Sequence, residues 1–251
     1  MKFKLFLLLF CCFLPTLAGA AEITLDDVVN ALETPFKATT VAGIDDFQAD
    51  FFQESHLASI DRIQRGEGKV SFKFLHRESD GRPVAMFRWE YREPTPQEII
   101  ADGQTLWAYQ PENRQVIKSD ISQLSQQSDN PVTFLSGLSN LSRDFDVRWG
   151  APKNDRNGNY ILELQPHRKS QLIHSLKMIV DKDAVSDFLD NRHCGSFFPI
   201  LATSVNDSSG NRTSIEFHSI RVNTGLSAES FNFVPAEGVE VLRPEDVTGS
   251  F

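Results

Sequence analysis

Residues 85–93 read AMFRWEYRE, and this stretch decides the fold class. The aromatic Phe87, Trp89 and Tyr91 alternate with charged residues, so one face of an extended chain is apolar and the other is polar. The same two-residue period recurs in FQADF at 47–51 and in VSFKF at 70–74. Repeated alternation over short segments predicts antiparallel β-strands that have one face packed on a core.

Turn signals separate these alternating segments at short intervals. Asp102-Gly103, Asn157-Gly158 and Ser209-Gly210 each join two of them, and Asp-Gly and Asn-Gly are strong hairpin signals. We expect about eleven strands, at 46–55, 66–75, 85–93, 97–101, 105–110, 114–118, 144–149, 159–165, 175–182, 198–206 and 212–222. Their sequential order with short loops predicts one antiparallel sheet that curls on itself, in a mainly β protein with a single domain.

Helical spacing replaces the alternation at two places. A helix is expected directly after Thr24, because apolar residues follow at helical spacing until Pro35 ends or kinks it. The alternation also stops between residues 118 and 144, where Asn130-Pro131 offers a helix start. Two or three helices are therefore expected beside the sheet, and those at 121–141 could cover its opening.

The aromatic side chains on the strands allow two interpretations. They fill an ordinary sheet core, or they line an apolar cavity. Eight strands close a barrel that side chains just fill, and eleven strands enclose more room unless helices plug it. The sequence thus permits an apolar cavity with a helical lid without requiring one.

The amino terminus has the pattern of a cleavable export signal. Two lysines precede an apolar run at 5–14, and Ala18-Gly19-Ala20 supplies the small residues of a cleavage site. The run is too short to span a bilayer, and no cysteine stands at the cleavage site for lipid attachment. We therefore expect residues 1–20 to be removed and residues 21–251 to form one exported domain without a lipid anchor. The alternative is an uncleaved N-terminal anchor.

Composition excludes several classes of partner. The chain has 34 acidic and 25 basic residues, for a net charge of −9, and removal of the two N-terminal lysines makes it more negative. This balance opposes binding to nucleic acid or to anionic membrane surfaces. Cys194 is the one cysteine outside the signal, so no intramolecular disulfide is possible, and with His193 it is too small a set for a zinc site.

Motifs of enzyme chemistry are absent from the sequence. It contains no GxSxG, HExxH, CxxC or glycine-rich phosphate loop, and its six histidines are scattered. The acidic pair Asp45-Asp46 lies at a loop-to-strand boundary and is expected to be solvated. We predict no catalytic residue, no metal site and no cofactor, although an active site assembled by the fold stays open.

Several segments together resemble a known protein family. They are FQADFFQ at 47–53, GEGKV at 66–70, FRWEY at 87–91 with Pro94, ADGQTLWAYQP at 101–111, Asn130-Pro131 with Phe134-Leu135, and FNFVP at 231–235 with Gly238-Val239. In this order they resemble the periplasmic outer-membrane lipoprotein carrier family, LolA, and the resemblance covers about residues 25–242.

The resemblance implies both a fold and a function. The fold would be an unclosed, strongly curved antiparallel β-barrel of about eleven strands, with short helices forming a lid over an apolar cavity. Family members accept triacylated lipoproteins from an inner-membrane ABC transporter, cross the periplasm and deliver them to an outer-membrane lipoprotein receptor. We therefore predict a non-enzymatic periplasmic carrier that acts as a monomer.

Candidate site residues follow from the same comparison. The expected cavity walls are Phe47, Phe51, Phe87, Trp89 and Leu106, and the expected lid residues are Phe134, Leu135 and Leu138. The family also has an arginine shortly before the aromatic strand whose contacts to the lid help to control opening. Arg82 stands near that place, one residue further from Phe87, and is expected to donate hydrogen bonds to lid carbonyl groups. The alternative is that Arg82 is a solvated turn residue beside Pro83.

Two other functions and one unexplained segment stay open. A periplasmic sensor-type regulator of related fold would bind a lipoprotein or a signalling protein, and a lipid-acting hydrolase is the third class. Residues 184–197 are interpreted as an insertion between two strands, with no counterpart in the family.

Overall fold

The computed structural model of the protein describes residues 22–37, 43–76, 83–120, 135–168, 172–191 and 197–246. The strands are β1 (Asp46–Leu57), β2 (Arg62–His76), β3 (Pro83–Glu93), β4 (Gln97–Ala101), β5 (Thr105–Gln110), β6 (Gln115–Asp120), β7 (Phe145–Asn154), β8 (Tyr160–Pro166), β9 (Ser175–Val180), β10 (Ile200–Asn206), β11 (Arg212–Val222) and β12 (Glu240–Leu242). The helices are α1 (Leu25–Glu33), α2 (Leu141–Asp144) and α3 (Lys182–Asn191), with 3-10 turns at Thr34–Phe36, Ala58–Ile60, Leu135–Asn140, Ala228–Phe231 and Pro244–Asp246. Within these described ranges, no helix is both long and apolar enough to cross a membrane.

All the strands lie in one unclosed, curved sheet. Their order is β12-β6-β5-β4-β3-β2-β1-β11-β10-β9-β8-β7, and β12 and β7 are its two edges. Each neighbouring pair is antiparallel except β12 and β6, which run parallel. The predicted fold class, a mainly β protein with one curled antiparallel sheet and short helices, is confirmed.

The strand predictions succeed except at the far end of the chain. All eleven predicted strands are present, with boundaries displaced by a few residues. The sequence did not predict β12, because three residues carry too little alternation to be recognised. β12 instead forms when the chain returns to the edge of the sheet, where the backbone N–H of Glu240 donates to the carbonyl of Arg114 at 2.8 Å.

One face of the sheet, here called the inner face, carries the core. Alternate side chains of β1, β2 and β3 are buried on it, as the two-residue period predicts. They are Phe47, Ala49, Phe51, Val70, Phe72, Phe74, Ala85, Phe87 and Trp89. Three long neighbouring strands therefore place their largest rings side by side.

Gly68 allows β2 and β3 to approach each other closely at an irregularity in their register. A Cβ atom built on Gly68 would lie 1.9 Å from the backbone oxygen of Glu90 and 3.0 Å from the ring of Phe51. A side chain at this position would push the strands apart, so glycine is required there.

A layer of short helices packs on the inner face. α1 begins at the N-cap Thr24, whose side chain and that of Asp27 form a reciprocal capping box. α1 contacts α3 and the 3-10 turn Leu135–Asn140, which in turn contacts β3. The predicted helix after Thr24 is confirmed, and the described part of the second helical region consists of the 3-10 turn followed by α2.

Residues 184–191 of the segment interpreted as an insertion belong to α3. Val185 and Phe188 of this helix are buried in the common core, so the helix belongs to the helical layer. The predicted strand 175–182 accordingly ends at Val180, and α3 begins two residues later.

The prediction that the acidic pair is solvated is wrong for Asp46. Its side chain accepts hydrogen bonds from the backbone N–H groups of Thr224, Gly225 and Leu226 at 2.7 to 3.0 Å, and from the Thr224 hydroxyl at 2.9 Å. The residue is 1% exposed. A buried carboxylate needs such donors, and here they fix the segment after β11 to the start of β1.

Candidate functional site

A cluster of aromatic rings occupies the centre of the inner face. The ring of Phe72 lies 5.1 Å from that of Phe47 and 5.3 Å from that of Phe87, between centroids. Phe51 meets Trp89 edge to face at 4.9 Å. These separations are those of favourable aromatic pairs, so the rings form one continuous apolar surface across β1, β2 and β3.

The helical layer closes directly on this aromatic cluster. Phe36, in the turn after α1, lies 5.0 Å from the ring of Phe74 and 6.0 Å from that of Phe198. Leu135 and Leu138 are 2% and 1% exposed and belong to the same core. In this structure the side chains of the two layers contact each other, so a ligand would enter the interior only if the layer or the rings moved.

The residues expected at the site divide into three groups. Phe47, Phe51, Phe87, Trp89, Leu135 and Leu138 are buried in the core, and Leu106 is half-buried against it. Phe134 and Arg82 lie outside the described residues. The structure thus brings together the described candidates, and their binding role stays a prediction.

The aromatic side chains of β5 lie on the outer face of the sheet. The rings of Trp107 and Tyr109 lie 5.6 and 5.2 Å from that of Phe233, and the ammonium group of Lys118 lies 4.9 Å from the centre of the Trp107 ring. Leu106 packs on the core from the opposite side of β5. The C-terminal segment therefore covers part of the outer face, and these two rings do not belong to the interior.

Glu33, at the end of α1, ties the helical layer together. Its carboxylate accepts hydrogen bonds from the backbone N–H and the hydroxyl of Ser142, at 2.7 and 2.6 Å, and pairs with Lys37 at 3.1 Å. The Glu33 side chain is only 7% exposed. Sequence reasoning missed this contact, because Ser142 stands 109 residues further along the chain.

Tyr91 forms the polar rim of the aromatic cluster. Its ring meets that of Phe51 at 4.9 Å, and its hydroxyl donates to Gln53 at 2.8 Å. Burial raises the pKa of Tyr91 to about 12, so the side chain is neutral at physiological pH.

A pocket opens where two strands separate. In the described part of the sheet, β10 pairs with β11 as far as Glu216, whereas β11 continues along β1 to Val222. A pocket of about 370 Å³ lies at this separation. Its lining combines apolar with polar and charged side chains, namely Asp181, Phe197, Phe198, Leu201, Phe217, His218, Ser219, Ile220 and Val222. Phe198 and Phe217 also belong to the core, so the pocket adjoins the interior.

Two buried side-chain nitrogens have no acceptor among the described residues, the Nε atom of Arg88 and the indole Nε1 of Trp89. The other nitrogens of Arg88 are engaged, because one donates to the carbonyl of Ser230 at 3.0 Å and another pairs with Glu98 at 3.1 Å. Trp89 has a single polar atom, and it faces an apolar interior.

Known proteins resemble this chain over much of its length. The family model described as outer membrane lipoprotein carrier protein LolA matches residues 42–189. The outer-membrane lipoprotein carrier protein of Hahella chejuensis is 26% identical over 231 residues, which are 92% of this chain and 97% of that protein. The protein of the same name from Neisseria meningitidis is 31% identical over 157 residues, which are 62% of this chain and 66% of that protein. A solved LolA superfamily protein from Nitrosomonas europaea is 15% identical, with a TM-score of 0.38, over 84% of this chain and 99% of that one.

The family match covers more than half of the chain. The two curated relatives are named as carriers, so the comparisons do not favour the sensor-type regulator. The chain belongs to the LolA family of outer membrane lipoprotein carrier proteins.

Proposed function

We propose that this protein is a periplasmic carrier that binds the acyl chains of lipoproteins in its aromatic interior. The observation that carries the proposal is the continuous apolar surface of the inner face, enclosed by a separate layer of short helices. The carrier names of the relatives support the same function.

The energetics of acyl chains explain why such a carrier is needed. Burial of a methylene group yields about 0.8 kcal/mol, so a single long chain in water is disfavoured by roughly 10 kcal/mol or more. Several chains on one lipoprotein will not cross an aqueous compartment unaided. The carrier must therefore offer apolar surface comparable to that of a membrane and must also be able to release its cargo.

The closed interior has two ways to make room. The helical layer can move away from the sheet, since its helices are short and α1 is joined to α2 by hydrogen bonds to the carboxylate of Glu33. The interior can also extend into the pocket beside β11, whose walls include the core residues Phe198 and Phe217. Both movements would exchange contacts between side chains for contacts with acyl chains.

Arg82 is proposed as the residue that holds the closed state. By resemblance to the family, its guanidinium group would donate hydrogen bonds to backbone carbonyls of the lid. A hydrogen bond to a charged group contributes about 1.5–3 kcal/mol, which would bias a lid that cargo must still open. Arg82→Leu would then leave the protein folded and weaken cargo transfer, and transfer at the wild-type rate would exclude this role.

The proposed partners follow from the family. An inner-membrane ABC transporter would supply the acylated lipoprotein, and an outer-membrane lipoprotein receptor would accept it. The protein would act as a monomer and without catalysis, because transfer between two apolar sites requires no covalent step.

Photo-crosslinking tests the proposal. A benzoylphenylalanine placed at position 87 or 89 should form adducts with a triacylated lipoprotein. It should form none with the unacylated lipoprotein, in which serine replaces the acylated cysteine. Position 63 is the matched control, because Ile63 is 49% exposed on β2 and lies away from the core. Folded variants that give no acyl-dependent adduct at either inner position would contradict the proposal.

A further inference from the structure

The indole N–H of Trp89 is a buried donor that has no acceptor among the described residues. Trp89 is 1% exposed in the middle of β3, where its register partners are Val70 on β2 and Ile99 on β4. The rings of Phe51, Phe72 and Phe217 lie 4.9, 6.3 and 6.4 Å from its ring. The described surroundings of this donor are therefore apolar.

Such a donor is unusual in a protein core. Buried tryptophan N–H groups usually find an acceptor, and leaving one without a partner costs free energy that a phenylalanine at the same place would not cost. Phenylalanine, which already occupies the neighbouring positions of the cluster, would supply an aromatic ring without a buried polar atom. The tryptophan is accounted for if an acceptor reaches the donor in a state that this structure does not contain.

The ligand of the proposed function can supply that acceptor. An acyl chain attached to glycerol or to an amine ends in an ester or amide carbonyl group, which is a hydrogen-bond acceptor joined to hydrocarbon. We propose that the indole N–H of Trp89 donates a hydrogen bond to an ester or amide carbonyl of the bound acyl group, so that the carrier distinguishes acyl groups from plain alkyl chains. This inference rests on the proposed function, and it adds a polar contact to a site that is otherwise apolar.

Two short-chain lipids provide a direct test. Diheptanoyl phosphatidylcholine has ester carbonyls, and its diether analogue has the same chain carbons but no carbonyl group. Isothermal titration calorimetry of the wild-type protein should show tighter binding of the ester by roughly five- to thirty-fold, which corresponds to about 1–2 kcal/mol. Trp89→Phe should bind both lipids alike, whereas Trp107→Phe, which changes a ring on the outer face, should keep the preference.

An NMR measurement tests the same contact without relying on the Trp89 variant. The chain has three tryptophans, so Trp107→Phe and Trp149→Phe identify the indole N–H signal of Trp89 by elimination. That signal should move downfield when the ester lipid is added and should move less with the diether. If both lipids bind with equal affinity and the signal responds equally, the inference is wrong and the proposed function stands. If neither lipid binds at any accessible concentration, the proposed function is itself in question.

Discussion

Removal of the Glu33 carboxylate should loosen the helical layer while the sheet stays intact. Glu33→Met keeps most of the side-chain volume but cannot accept the two hydrogen bonds from Ser142, at 2.7 and 2.6 Å. Hydrogen bonds to charged groups contribute about 1.5–3 kcal/mol each. Ser142 is exposed, and water can replace part of each bond, so we expect a combined loss of about 2 kcal/mol.

Hydrogen exchange measured by mass spectrometry would report this change locally. A loss of about 2 kcal/mol raises the population of the open layer roughly thirty-fold. Amides in the region 135–144 should exchange faster by that factor, and amides of β1 and β2 should be unaffected. Glu33→Gln retains an acceptor oxygen and should show a smaller increase.

Lys37→Met is the matched control for the other contact of Glu33. Lys37 is 41% exposed at its side chain, and an exposed helix ion pair contributes less than about 0.5 kcal/mol. Lys37→Met should show the same hydrogen-exchange pattern as the wild-type protein. If Glu33→Met also exchanges at the wild-type rate in 135–144, the carboxylate does not hold the layer closed.

Three further changes test the fold around the site. Asp46→Asn should lower the free energy of unfolding by about 2–4 kcal/mol in urea titrations, because it weakens bonds to three backbone N–H groups. The half-buried Asp50 lies on the same strand and pairs with Arg92, so Asp50→Asn should cost at most about 1 kcal/mol. Gly68→Ala should destabilise the protein by about 2–3 kcal/mol, because the new Cβ would lie 1.9 Å from a backbone oxygen. Gly66→Ala should cost less, because its nearest contact would be at 3.3 Å. Equal losses of stability in the two variants would contradict the reasoning. Tyr91 should be half ionised near pH 12 in the folded protein. Because its pKa is raised on folding, its contribution to stability is intact below about pH 10 and is lost between pH 10 and 12. Tyr91→Phe should therefore remove about 2 kcal/mol of the stability that is lost at alkaline pH. Absorbance at about 295 nm should show that Tyr91 ionises late in the wild-type protein, and ionisation of Tyr91 near pH 10 would contradict the reasoning.

The sheet and its inner face could be predicted from sequence because their signal is local. Phe47, Phe72 and Phe87 each stand in a run with strict two-residue alternation, and the structure places all three on the same buried face. The alternation could not tell which face of β5 is inner, since Leu106 and Trp107 are both apolar. In the structure, Phe233 of the C-terminal segment packs against Trp107, so Trp107 lies on the outer face of β5 and Leu106 on the inner face.

The polar contacts of the site could not be predicted because their partners are distant in sequence. Asp46 receives its donors from a turn 178 to 180 residues later, and Glu33 receives its donors from Ser142, 109 residues later. Each looked like an ordinary charged residue near the end of a helix or strand. Only the fold shows that both carboxylates are buried and that each fixes one segment to another.

A carrier of this kind keeps acylated lipoprotein in solution by covering its acyl chains. The most direct measurement mixes the purified protein with a triacylated lipoprotein, removes the detergent, and determines by sedimentation and native mass spectrometry what stays dissolved. We expect a stoichiometric complex with the acylated form and none with the form that has serine in place of the acylated cysteine. If the acylated lipoprotein sediments to the same extent with and without the protein, the protein is not such a carrier.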